Sequence, residues 1–176
     1  MTYNEMIAYL RRVLSDEQGT AFESETLEDP SGEKELAFYL DRAVHEYSEQ
    51  QADADNIKYV KRMSIVDGGT LPKDFIKFCG NVPVDIEGGT IRYYGEAETI
   101  GQIGGNPVKY FARLPLVSEY SGDSDLPYNN QQCIQIIEIA RIYAMNKQEY
   151  NVKQDVMLVT HGGLSNGNTN QQARQR

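Results

Sequence analysis

His45 and His161, Cys79 and Cys133, and the run Gly101-Gln102-Ile103-Gly104-Gly105 are where this sequence could do chemistry. His45 lies beside the apolar face of a predicted helix with no partner constellation around it, which suits a half-buried structural histidine. His161 opens a stretch rich in Gly, Asn and Gln. No HExxH is present. The two cysteines are far apart in sequence and form neither a CxxC pair nor any metal-ligand spacing, so both are expected as buried reduced thiols. The glycine run lacks the Lys-Ser/Thr of a P-loop and the strand–turn–helix setting of a dinucleotide fingerprint; it reads as a hairpin or loop. Acids are numerous, 26 in all, but they spread over helix faces and loops as solvated carboxylates do. A hydrolase built on loop carboxylates has only that acid count in its favour. The expectation is no catalytic residue, no metal and no cofactor.

Tyrosine is abundant, with 12 residues against no tryptophan. Tyr93, Tyr94, Tyr110, Tyr120 and Tyr128 offer rigid amphipathic area suited to interfaces, and equally to ordinary sheets. One alternative function follows from them: a glycan-binding β-module stacking sugars on Tyr93, Tyr94 and Tyr110.

The formal charge of −9 and pI near 4.7 argue against a surface that grips duplex DNA, because phosphate binding needs clustered Lys and Arg. An acidic surface repels DNA instead. A chain of 176 residues is long enough for a core without disulfides or metals. The segment MTYNEMIAYLRR lacks a signal peptide's apolar run, and no stretch reaches membrane-spanning length. The chain is therefore expected to be soluble and intracellular in origin, with no membrane partner.

The positioning elements are read from periodicity. Residues 2–14 form a helix, with Thr2 and Glu5 as a capping box and Tyr3, Met6, Ile7, Leu10, Val13 and Leu14 on one face. Residues 15–30 read as a polar loop. Ser31 caps a second helix, 31–50, whose apolar face is Leu36, Leu40, Ala43, Val44 and Tyr47. Between about 57 and 116 the period changes. Ile57–Val66, Phe75–Cys79, Val82–Ile86, Thr90–Tyr94 and Val108–Leu114 read as strands of one small antiparallel sheet. Asp67-Gly68-Gly69-Thr70 and Glu87-Gly88-Gly89-Thr90 echo each other as turns. Leu114–Asn130 reads as a loop, and Asn129 or Asn130 caps a third helix, 131–150. That helix is apolar nearly all round, with Gln135, Glu138 and Arg141 as its one narrow polar stripe between Cys133 and Met145. The remainder, 151–176, lacks a core pattern and reads as an extended tail. The fold class is α+β: a bundle of about three to four helices with an inserted small antiparallel β-sheet and an extended C-terminal arm. Residues 1–150 form one domain and 151–176 its arm.

This layout resembles the adaptor, or head-to-tail connector, proteins of tailed bacteriophages. The resemblance rests on YNEMIAYLRRVL in the first helix and Tyr39-Leu40-Asp41-Arg42-Ala43 (YLxRA) in the second. It continues in GGTLPKDFIKF, which holds Leu71-Pro72-Lys73-Asp74-Phe75 (LPxDF), and in the long apolar helix ending YAMNKQEYNVKQD before a polar tail. Residues Pro115–Asn130 correspond to nothing in that pattern.

The resemblance implies a closed ring of about twelve subunits beneath the portal ring of a capsid, at the head-to-tail interface of a virion made in the host cytoplasm. The ring would extend the DNA channel, letting DNA pass without specific binding, and present a platform to a tail nozzle or tail-tube protein. Adaptors of this kind are commonly monomeric before the portal templates the ring. The C-terminal arm, with Val156, Met157, Leu158, Val159, Leu164, Arg174 and Arg176, would dock on the portal or a neighbouring subunit. Subunit packing falls to Ile134, Ile137, Ile142 and Met145 of the third helix. A ring protein lower in the tail, a tail-tube or tail-completion component, is the nearest alternative.

Overall fold

The computed structural model of the chain describes residues 1–14, 32–94 and 107–145. Its architecture is α+β, with three α-helices and antiparallel strands. The chain divides into two compact units, one formed from Met1–Tyr47 and Leu116–Arg176, the other from Ser48–Pro115.

In the first unit, helix α1 spans Tyr3–Val13 and opens on the expected capping box, Thr2 with Glu5. The Thr2 hydroxyl accepts from the Glu5 N–H, and the Glu5 carboxylate accepts from the Thr2 N–H at 2.8 Å. Two orphan donors at the helix start are thereby satisfied. Tyr3, Met6, Ile7 and Leu10 turn inward, the i, i+3, i+4, i+7 spacing of one helical face. Helix α2, Glu33–Asp53, runs beyond the expected end, and the boundary between the units falls within it, after Tyr47. Its expected apolar face, Leu36, Leu40, Ala43, Val44 and Tyr47, is buried. Ser31 lies outside the described residues; the Gly32 carbonyl accepts the first helical hydrogen bond, from Leu36 N–H.

Helix α3 spans Asn130–Met145, and 146–150 lie outside the described residues. Asn129 caps it reciprocally: Gln132 N–H donates to Asn129 Oδ1 at 2.9 Å, and Asn129 N–H to Gln132 Oε1 at 2.8 Å. The segment before α3 is irregular, as expected, but it is tied down. Val117, Leu126 and Tyr128 are buried, and Thr2 bridges Asp125. Tyr3 N–H donates to Ser124 O, Asn4 N–H to Gly122 O, and Leu126 N–H to Met1 O. These bonds make it a strap over the start of α1.

The second unit holds the strands: β1 Val60–Ser64, β2 Phe75–Phe78, β3 Val84–Glu87, β4 Thr90–Tyr93 and β5 Pro107–Ala112. They form two sheets where the sequence suggests one. β1, β5 and β2 make a three-stranded antiparallel sheet with β5 in the centre, while β3 and β4 pair as a hairpin. The opening of the first expected strand is a short 3-10 helix, Ile57–Tyr59. Ile65, Val84 and Ile91 form a small core, with Met63, Leu71, Phe78, Val82, Tyr93 and Val108 packed against it. Asp74 bridges β-sheet side chains, accepting from Lys61 Nζ at 2.6 Å and from the Tyr110 hydroxyl at 3.1 Å.

Candidate functional site

Two surfaces, one in each unit, present what the interior does not use. The first is the outer stripe of α3. Cys133, Ile136, Ile137, Ile139, Ala140, Tyr143 and Ala144 are buried. Gln131, Ile134, Glu138, Arg141 and Met145 recur at spacings of three and four, which places them on one side of the helix. Ile134 is 50% exposed and Met145 64%. Between them Arg141 Nη1 pairs with Glu138 Oε2 at 3.3 Å. Arg141 Nε, itself buried, has no acceptor among the described residues. A buried donor without an acceptor costs about 1–3 kcal/mol.

The inward side of α3 is held from α2. The Tyr143 hydroxyl donates to Glu46 Oε2 at 3.3 Å, and the Arg42 guanidinium sits 4.1 Å over the Tyr143 ring. Burial and the Glu46 charge raise the Tyr143 hydroxyl's pKa, although Arg42 opposes them. Burial likewise raises the pKa of the Cys133 thiol.

Of the four side chains expected to pack between subunits, Ile134 and Met145 face outward and Ile142 is half-buried. Ile137 is fully buried within its own chain, so it has no surface to give a second subunit. Periodicity could not separate it from Ile134, because the helix is apolar in almost every direction and only contacts from distant segments decide which side is inward. Val156, Met157, Leu158, Val159, Leu164, Arg174 and Arg176, together with His161 and Gly101–Gly105, lie outside the described residues.

The second surface is an open groove of 560 Å³ across the three-stranded sheet. Val60 and Phe111 line it between the strands, with Ile57 and Asp55 from the segment after α2, Arg62 and Lys109 from β1 and β5, and Cys79 and Gly80 beyond β2. Ile57 is 83% exposed. Arg62 and Lys109 are direct partners in the β1–β5 register, so two cations stand side by side. Lys77, on the neighbouring strand, is tied instead to Asp53 at 3.1 Å and Asp55 at 3.8 Å. Cys79 is half-buried where full burial was expected. That partial burial still raises its thiol pKa against the opposing pull of Lys109. The sequence reading did not single out Arg62 and Lys109; their signal was a charge inside each of two β-patterned runs, VKRMS and PVKYFA.

The tyrosines do not assemble into a stacking platform. Tyr110 is buried, and the Tyr93 hydroxyl is spent on the Ile65 carbonyl at 2.7 Å. Only Tyr94 of the three is exposed, at 48%. Among the described residues no cluster of His, Cys, Asp and Glu is placed to hold a metal ion, and no helix is long and apolar enough to cross a membrane. Compared with family models, with curated proteins and with solved structures, the chain matches none.

Proposed function

We propose that this chain is a structural virion protein, the head-to-tail adaptor that forms a ring beneath a phage portal, lengthens the DNA channel and gives the next tail component a platform. The observation that carries the reading is the outer stripe of α3. Two large apolar side chains, Ile134 and Met145, flank the Glu138–Arg141 pair on an otherwise inward-facing helix. Apolar groups around a charged pair are the composition of a subunit contact, where area supplies affinity and charge supplies register.

Charge supports the same reading from the DNA side. A chain of net charge −9 that lines a channel repels phosphate and lets the duplex slide. The Gly-, Asn- and Gln-rich sequence of 151–176 suits an arm whose affinity for the portal is limited by its ordering cost.

The test is cosedimentation of the purified chain with the portal ring of its own phage, followed by mass determination of the complex. A stoichiometric ring on the portal is the expected result. If the two sediment separately across a range of salt, the adaptor reading fails. Truncation after Tyr150 separately tests the arm: unchanged portal binding would remove its docking role.

A further inference from the structure

We propose that the free chain pairs with a second copy of itself, α3 against α3, antiparallel about a two-fold axis that passes between Ile139 and Ala140. The pairing goes beyond the ring reading and does not depend on it.

The argument is the order of side chains along the outer stripe. Ile134, Glu138, Arg141 and Met145 follow one another at steps of four, three and four, the alternation of a helix–helix seam. The steps are the same read from either end. The chemistry also reads the same from either end, except that acid and base change places: apolar, acid, base, apolar. Turned end for end, the stripe is therefore its own complement. With the axis between Ile139 and Ala140, Ile134 lies opposite the partner's Met145, and Glu138 lies opposite the partner's Arg141. Ile134 and Met145 are the exposed large apolar residues of this helix. Glu138 and Arg141 are both partly exposed and already salt-bridged within the subunit, so pairing joins two such pairs into a group of four alternating charges.

Charge also fixes the register. An axis through Glu138 sets that residue against its own copy, and an axis through Arg141 does the same to the base. A parallel pair in register does both. Like charges in contact are costly, so the register that opposes acid to base is selected. The stripe's one acid and one base cancel, whereas the whole chain carries −9. Two copies that repel overall approach best along a neutral, apolar seam. One stripe on a helix of 16 residues is a small contact, and a dissociation constant of about 10–100 μM is expected.

A two-fold contact uses the same patch on both subunits and closes at two, so it cannot run around a ring. It occupies the stripe that the ring reading gives to a neighbouring subunit. On that reading the free dimer, rather than the monomer that the phage resemblance implies, masks the stripe until a portal opens it.

Sedimentation equilibrium of the full chain, with register-specific disulfide trapping, tests the pairing. A monomer–dimer equilibrium is expected. Glu138→Arg and Arg141→Glu should each weaken it about tenfold, since each sets like charges against each other, and mixing the two variants should restore it. Trapping uses Cys79→Ser chains, because Cys133 is wholly buried. Ile134→Cys mixed with Met145→Cys should crosslink in oxidised glutathione, each intersubunit disulfide consuming two thiols and releasing two reduced glutathiones. Either variant alone should not, because like positions then lie 11 residues apart along the seam, about 16 Å. Equal crosslinking of each variant alone overturns the register. A dimer indifferent to both charge reversals overturns the surface. A chain monomeric up to about 1 mM overturns the pairing, and the stripe is then covered from within the chain or by another protein. Cosedimentation with the portal is read separately: a monomeric chain that still builds a ring there leaves the adaptor reading standing, and a dimer that never binds a portal leaves the pairing standing without it.

Discussion

Thr70 and Thr90 face each other across an antiparallel bridge, so the two Gly-Gly-Thr echoes of this sequence are joined to one another. Gly68 N–H donates to Ile91 O, and Ile91 N–H to Gly69 O, both at 2.8 Å. The same tripeptide makes two different turns. After Glu87, Gly88 and Gly89 both have positive φ, +57° and +80°, the type I′ geometry of a two-residue hairpin. After Asp67, only Gly68 does, at +76°, and Gly69 N–H closes a four-residue turn onto Val66 O, as in type II.

Alanine substitutions should separate the turns. Gly88→Ala and Gly89→Ala meet nothing within 4 Å, so each cost is the backbone penalty alone, about 1–2 kcal/mol. Gly69→Ala has no positive φ to satisfy, but its Cβ would lie 2.9 Å from Val66 O and must move the turn. Urea unfolding checks all three, and Gly88→Asn should cost less than Gly88→Ala, because Asn tolerates the left-handed region. Neutral alanines at 88 and 89 would contradict the type I′ assignment.

What could be read from sequence was local. The capping box at Thr2 and Glu5 and the inward faces of α1 and α2 are set within a few residues of chain, so periodicity finds them. The strand positions were legible for the same reason. Their pairing was not: β5 sits between β1 and β2 through register with residues dozens of positions away, and nothing in VKRMS or FIKF announces that partner. The strap 122–126 reads as a loop because its role is backbone hydrogen bonding to the start of α1, which any side chains could accompany. On α3 the near-continuous apolar surface hid which side faced out, so Ile134 and Ile137 looked alike.

That distinction gives the second prediction. Ile137 is fully buried, so Ile137→Ala should cost about 2–5 kcal/mol from lost transfer energy and the cavity left behind. Ile134 is half-exposed, and Ile134→Ala should stay within about 0.5 kcal/mol in the isolated chain. In the proposed ring the order reverses in what is read: Ile134→Ala should weaken assembly on the portal while leaving the thermal midpoint in place. Equal thermal losses for the two variants would show that α3 is oriented differently.

The end of α2 gives the third. Asp55 is the only described non-glycine residue with positive φ, +50°. Its N–H donates to Ala52 O, and Asn56 N–H donates to Gln51 O, the bond pair of a Schellman motif, where glycine is usual. Asp55→Gly should stabilise the chain by up to about 1 kcal/mol by relieving left-handed strain. The ion pair lost with it is long, 3.8 Å, and open to solvent, and Lys77 keeps Asp53 at 3.1 Å, so little is forfeited. A higher midpoint in urea is expected; destabilisation would mean that the Asp55 carboxylate matters more than its backbone.

Asp74 and Tyr110 give the last prediction, a dependence on pH at both ends of the scale. Burial alone would raise the Asp74 carboxyl's pKa. The Lys61 hydrogen bond and charge and the Tyr110 hydroxyl outweigh it, and the folded value lies below the ordinary 3.8. The folded state thus favours the ionised carboxylate, and the resulting stability is present above the ordinary value and lost as pH falls through the lowered one. Tyr110 moves the other way. Burial, then the hydrogen bond and charge of Asp74, hold its hydroxyl above the ordinary 10.0, so its contribution is complete below that value and is lost as pH rises through the raised one. Asp74→Asn should cost about 1 kcal/mol at neutral pH and flatten the acid limb of a plot of urea midpoint against pH. Tyr110→Phe should flatten the alkaline limb and leave the Lys61 pair to carry the acid one. If Asp74→Asn left the acid limb unchanged, the carboxylate would be titrating in the folded chain as it does in the unfolded one, and the Lys61–Asp74–Tyr110 linkage would have no part in holding β1, β5 and the segment before β2 together.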